Sequence, residues 1–161
     1  MTFRLQLHAG TRAKQLEIWE RIMKERFSGY FISMNEPPFY RVFRNESIKR
    51  ELDSQFALTV CEHLRERKLG EWQVANSKFL FYRFPIPDWG EKIHAWSVRI
   101  GKINSIESAY SIVHGDDSEE EFRDLPNEIF LHALKWLESA GKCDLVGEHG
   151  DISSLGVKFF P

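Results

Sequence analysis

The chain has 161 residues, of which 42% are hydrophobic and 14% aromatic, enough for one ordinary domain or for two small ones that lean on each other or on a partner. Its two cysteines, Cys61 and Cys143, lie in different halves, which argues against a disulfide scaffold and for a reducing compartment. No stretch reaches the ~18 apolar residues of a membrane span, and residues 1–10 are too mixed for a signal peptide, so a cytosolic or peripheral protein is expected. The net charge of −2 conceals an asymmetry: residues 1–84 hold 15 Lys/Arg and 10 Asp/Glu, net +5, whereas residues 85–161 hold 7 and 14, net −7. Such an imbalance suits two surfaces with different partners, chance being the alternative.

Along the chain, Thr11 is a possible N-cap, and Leu16, Trp19, Met23 and Phe27 follow at helical spacing with Ile22 beside them. Residues 30–34 are short and rich in strand formers, 36–44 start as a loop at Pro37-Pro38, and 45–52 suit a short helix. Asp53 offers an N-cap for a helix over 54–68 with an inner stripe of Ala57, Val60, Cys61 and Leu64, closed by Gly70. Residues 71–74 and 78–84 read as two strands joined by the turn 75–77.

The second half repeats this order. Asp88 and Glu91 have capping-box spacing, and Trp89, Ile93, Trp96, Ile100 and Ile103 form a helical stripe. Residues 105–114 read as a turn leading to a short helix, and 115–124 are acidic, with Asp116, Asp117, Glu119, Glu120, Glu121 and Asp124 against Arg123 alone. Pro126 suits the first turn of a helix over 127–140, stopped by Gly141, and strands follow at 143–146 and 156–160. Each half thus has the element order of a winged helix, a helix-turn-helix with a β-hairpin wing. The fold class expected is α+β: two tandem winged-helix domains, 1–84 and 85–161, each a three-helix bundle with a small hairpin wing.

Little in the sequence points to chemistry. No nucleophile elbow, P-loop or dinucleotide fingerprint is present. Cys61 and His63, two apart on a helix, diverge and cannot share a metal, and Cys143 with His149 falls short of a structural zinc site. The acids of 116–124 lack the glycine and terminal glutamate of an EF-hand loop. No enzyme, cofactor or metal is therefore expected. Residues 37–40 match the P-P-x-Y ligand of WW domains, but between predicted elements Phe39 and Tyr40 are expected to be packed.

A winged helix that reads DNA needs a basic surface around its third helix. In the second half that helix has Lys135 against Glu128 and Glu138 and follows an acidic segment; in the first, Arg65, Arg67 and Lys68 cluster where they also complement the helix dipole. A protein partner fits better than nucleic acid, and a basic one suits the acidic half. A tandem winged-helix nucleic-acid-binding protein is the alternative.

Thr11-Arg12, Lys14-Gln15-Leu16 and Trp19, then Asp88-Trp89-Gly90 with Ile93 and Trp96, then Tyr110, Gly115-Asp116, Glu121-Phe122 and Leu125, and finally 156–160 resemble the ESCRT-II small-subunit family, the vacuolar protein-sorting-associated protein 25 family. The resemblance spans about residues 3–160. It implies a cytoplasmic, non-enzymatic adaptor recruited to endosomal membranes, present in two copies in a Y-shaped complex that sorts ubiquitinated membrane proteins into multivesicular bodies. It implies docking of the N-terminal region on the two larger ESCRT-II subunits. It also implies recruitment, by the second winged helix, of the basic N-terminal helix of an ESCRT-III subunit of the charged multivesicular body protein 6 type. Contact with the membrane is then only indirect. The partner-binding residues expected are Phe3 and Leu5 for docking, and Asp116, Asp117, Glu119, Glu120 and Phe122 for recruitment. One departure stands out: the family's docking segment is rich in proline and aromatics, whereas Phe3, Leu5 and Gln6 resemble only its tail, so that segment is expected to be truncated or its docking weakened.

Overall fold

A computed structural model describes residues 2–3, 9–26, 30–33, 44–45, 50–52, 54–75, 77–148 and 150–161. The chain divides into two compact units, Met1–Arg83 and Phe84–Pro161.

In the first unit the order is β1 (Thr2–Phe3), α1 (Ala9–Arg26), β2 (Tyr30–Ser33), β3 (Arg44–Asn45), β4 (Arg50–Leu52), α2 (Ser54–Glu66), β5 (Gly70–Val74) and β6 (Lys78–Phe81). Trp19 and Met23 of α1 meet Ala57, Val60, Cys61 and Leu64 of α2 and Phe79 and Phe81 of β6 in one buried cluster. Trp72 closes its edge, packing T-shaped on Phe79 at 5.1 Å. The sheet order is β2-β6-β5, so the strand that follows the first helix flanks the hairpin's second strand.

Two expectations fail here. Of residues 45–52, expected as a short helix, those the structure describes, Asn45 and Arg50–Leu52, are in strands. Arg44–Asn45 pairs antiparallel with Arg50–Leu52, and β4 also pairs parallel with β1, with Thr2 opposite Glu51 and Phe3 opposite Leu52. Arg, Glu and Leu are good helix formers, but ladder bonds on both sides of β4 outweigh a preference of a few tenths of a kcal/mol, roughly, per residue. Thr11 is not an N-cap either, because α1 begins at Ala9, a strong helix former, and Thr11 falls in its first turn. The N-cap expected of Asp53, the packing of Phe27, Phe39 and Tyr40, and the 37–40 motif lie outside the described residues.

The end of α2 also differs from expectation. Leu69 N–H reaches the Leu64 carbonyl at 2.8 Å and Lys68 N–H the Arg65 carbonyl at 3.0 Å, a Schellman closure that puts Lys68 at φ +60°. Gly70 opens β5 instead. A Cβ there would lie 2.4 Å from the Phe79 ring and 2.6 Å from the Leu80 carbonyl oxygen, so glycine is required by close approach.

The second unit runs α3 (Ile86–Arg99), β7 (Ile106–Ser108), α4 (Ala109–His114), α5 (Asn127–Ser139), β8 (Cys143–Gly147) and β9 (Leu155–Phe159), with sheet order β7-β9-β8. This is the winged-helix order, and the edge strand again flanks the hairpin's second strand. Trp89, Ile93 and Trp96 of α3, Ile129, Phe130, Ala133, Leu134 and Leu137 of α5, and Leu155, Val157 and Phe159 of β9 fill the core. The capping box at Asp88 is not used. Pro85 is the N-cap and Pro87 sits in the first turn, where a fixed φ suits the helix and the missing N–H costs nothing. Asp88 is therefore inside the first turn, its charge facing the positive end of the helix dipole. The apolar stripe breaks at Gly101, φ +75°, which places Ile100 at the helix end and Ile103 in a bridge to Phe159.

Candidate protein-binding surface

The acidic segment begins where α4 ends. A Cβ at Gly115 would fall 2.3 Å from the Ser111 carbonyl oxygen, so only glycine lets the chain leave the helix this closely. The segment is then held to the unit by its backbone. Trp96 Nε1 donates to the Asp117 carbonyl at 2.8 Å, buried Ser118 donates to the Val113 carbonyl at 3.2 Å, and Asp124 N–H returns to the same carbonyl at 3.0 Å. Arg123 donates to the Ser118 carbonyl at 2.8 Å. The Asp124 carboxylate accepts from His114 Nδ1 at 2.7 Å, drawing the segment's end to α4.

With the backbone pinned, the apolar residues turn in and the acids turn out. Phe122 is 1% exposed, its ring edge-on to Trp96 at 5.8 Å. Phe122, expected to touch a partner, packs against Trp96 and reaches the surface only as part of the lining of the depression described next. Glu119 pairs with Arg99, and Glu121 accepts from Lys92 Nζ at 2.7 Å. These exposed pairs each contribute about 0–1 kcal/mol at most, but they decide which charges remain. Asp116, Asp117 and Glu120 are exposed and have no ion pair among the described residues. Of the four acids expected at the surface, three are uncompensated, and Glu119 is answered by α3.

Lys92, Ala95, Arg99, Glu119, Glu121 and Phe122 surround a half-open depression of about 140 Å³ between α3 and the segment. Sequence reading missed Lys92, Ala95 and Arg99. Their spacing of three and four marks one face of α3, but nothing local says that the acidic segment covers it. Phe3 lies in β1, in the other unit, and Leu5 lies outside the described residues.

The basic residues at the end of α2 are largely compensated. Arg65 donates to Glu62 at 2.8 Å, and Arg67 donates at 2.5 Å to Glu20, which is also within 4.0 Å of Lys24. The bonds from Arg65 and from the Trp72 indole hold the Glu62 carboxyl below its ordinary range. Both cysteines are buried and free. Burial, with Glu62 nearby, raises the Cys61 thiol, and burial, with Glu138 and Asp144 nearby, pushes Cys143 up to about 12, so neither is a nucleophile near neutrality. Among the described residues no group of three His, Cys, Asp or Glu could hold a metal ion, and no helix is long and apolar enough to cross a membrane.

The sequence profile of the family described as ESCRT-II complex subunit matches residues 2–126, more than half of the chain. The chain belongs to that family. Its vacuolar protein-sorting-associated protein 25 relatives include those of Xenopus laevis and Homo sapiens, each 31% identical over 98% of this chain and covering 92% and 91% of their own lengths. The Dictyostelium discoideum protein is 26% identical over the same 98%. Among solved structures, subunit VPS25 of the endosomal trafficking complex ESCRT-II superposes with a TM-score of 0.80 at 17% identity, covering 98% of this chain and 92% of that one. The VPS22/VPS25/VPS36 complex contains a chain that superposes at 0.75 with 18% identity, covering 98% and 93%. At such identities the superpositions establish the fold, tandem winged helices. The ESCRT-II subunit family is a trafficking-complex family and not an enzyme family.

Proposed function

We propose that the chain is a non-enzymatic adaptor of an endosomal ESCRT-II complex, present in two copies. In this reading residues 1–84 form a first winged-helix domain that docks on the two larger subunits through a region including Phe3 and Leu5. Residues 85–161 form a second that recruits the basic N-terminal helix of an ESCRT-III subunit of the charged multivesicular body protein 6 type, on the multivesicular body route for ubiquitinated membrane proteins. The chain thereby reaches endosomal membranes through its partners. What carries the docking half is family membership across nearly the whole chain. What carries the recruiting half is the uncompensated charge of Asp116, Asp117 and Glu120 in a half of net charge −7.

Calorimetry of the whole chain with a synthetic peptide of that basic helix tests the recruiting half. Binding is expected at low ionic strength and is expected to weaken as salt screens the exposed carboxylates. An absence of heat at low salt would sink it. The nucleic-acid alternative predicts a duplex DNA gel shift abolished by reversing Arg65 and Arg67; with both residues already paired to Glu62 and Glu20, no shift is expected.

A further inference from the structure

We propose that the depression between α3 and the acidic segment receives one aliphatic side chain from a basic amphipathic helix; this rests on, and sharpens, the recruiting role given above. The two ion pairs make the site selective. Each draws a charged head toward its carboxylate, Lys92 toward Glu121 and Arg99 toward Glu119, and a side chain so held offers its methylene stem as apolar surface beside Ala95 and Phe122, which line the same space. A cationic anchor entering there would meet Lys92 and Arg99, and an anionic one Glu119 and Glu121, whereas an apolar anchor leaves both pairs intact. The size agrees: a cavity of roughly 150 Å³ holds a benzene-sized group, so about 140 Å³ suits one branched side chain and no more. Asp116, Asp117 and Glu120 lie on the segment that forms one wall, so a helix whose anchor fills the depression presents its flanking residues to uncompensated carboxylates. An amphipathic helix with one apolar anchor and lysines or arginines around it meets both demands.

The test uses the whole chain and the basic-helix peptide, with each apolar residue of the peptide replaced by alanine in turn. Ala95→Leu fills the depression from an exposed helix position where leucine is a good helix former, and an unchanged urea midpoint verifies folding. Ala95→Gln serves as a second filling variant should leucine impair folding. The expected result is a loss of roughly tenfold or more in affinity for Ala95→Leu. In the wild-type chain one apolar position of the peptide is expected to dominate the alanine series, and in Ala95→Leu that position no longer matters. If Ala95→Leu binds like wild type while neutralising Asp116, Asp117 and Glu120 abolishes binding, the depression is overturned and the electrostatic recruiting surface stands. If neither change weakens a peptide that still binds, both are overturned as its site.

Discussion

Three helices close by the same backbone device, and one does so with the wrong residue. At α3 and α5 the left-handed position is Gly101 and Gly141, at φ +75° and +74°. At α2 it is Lys68, at φ +60°, with the same pair of closing hydrogen bonds. A left-handed conformation costs an L-residue roughly 1–2 kcal/mol, part of which glycine gives back through the larger entropy of its unfolded chain. Lys68 is exposed, and its backbone bonds survive substitution. Lys68→Gly is therefore expected to stabilise the chain by roughly 0.5–1 kcal/mol, read as a higher urea midpoint with an unchanged slope. An equal or lower midpoint would show that the lysine side chain offsets its own strain.

Between elements, the contact of α3 with α5 is set by a glycine inside a helix. A Cβ on Gly90 would lie 2.5 Å from Cε3 and 2.9 Å from Cζ3 of Trp136. Two effects compete in Gly90→Ala. Helix propensity favours alanine by roughly 1 kcal/mol, whereas overpacking a filled contact costs typically ~1–3 kcal/mol. The atom struck belongs to a rigid indole, not to the end of a flexible chain, so overpacking is expected to win and the urea midpoint to fall. Combining the change with Trp136→Leu should recover most of the loss in a double-mutant cycle, because the clash disappears with the ring. Additive losses would mean that the helices are not in conflict at this point.

For the molecule as a whole, the proposed reading assigns the two unevenly charged halves different binding tasks. Residues 1–84 carry +5 and residues 85–161 carry −7. If the first half docks on the ESCRT-II core and the second recruits, removing charge from the second should leave assembly untouched. Asp116→Asn, Asp117→Asn and Glu120→Gln together are expected to weaken the basic helix by an order of magnitude or more at low salt, and less at high salt. Co-purification with the two larger subunits is expected to be unchanged. Loss of both together would place the acidic segment in the core assembly.

The order of helices and strands in the second half, the closing helix and hairpin of the first, the inner faces of α2, α3 and α5, and the presence of an acidic segment before α5 follow from the sequence by itself. Each depends on periodicity or composition within a few turns of chain, where neighbours along the sequence are neighbours in space. The family resemblance was legible for a related reason: matching residues such as Trp19, Trp89 and Trp96 are core positions. What the tertiary structure alone decided depends on residues far apart in sequence. β4 is a strand because β1 and β3 flank it. Phe122 is buried because Trp96 stands behind it. Glu119 and Glu121 are compensated by Arg99 and Lys92, 20 and 29 residues away, while Asp116, Asp117 and Glu120 have no ion pair among the described residues. A string of carboxylates reads the same in sequence whether paired or free; only the face of α3 that folds against it determines which charges remain for a partner.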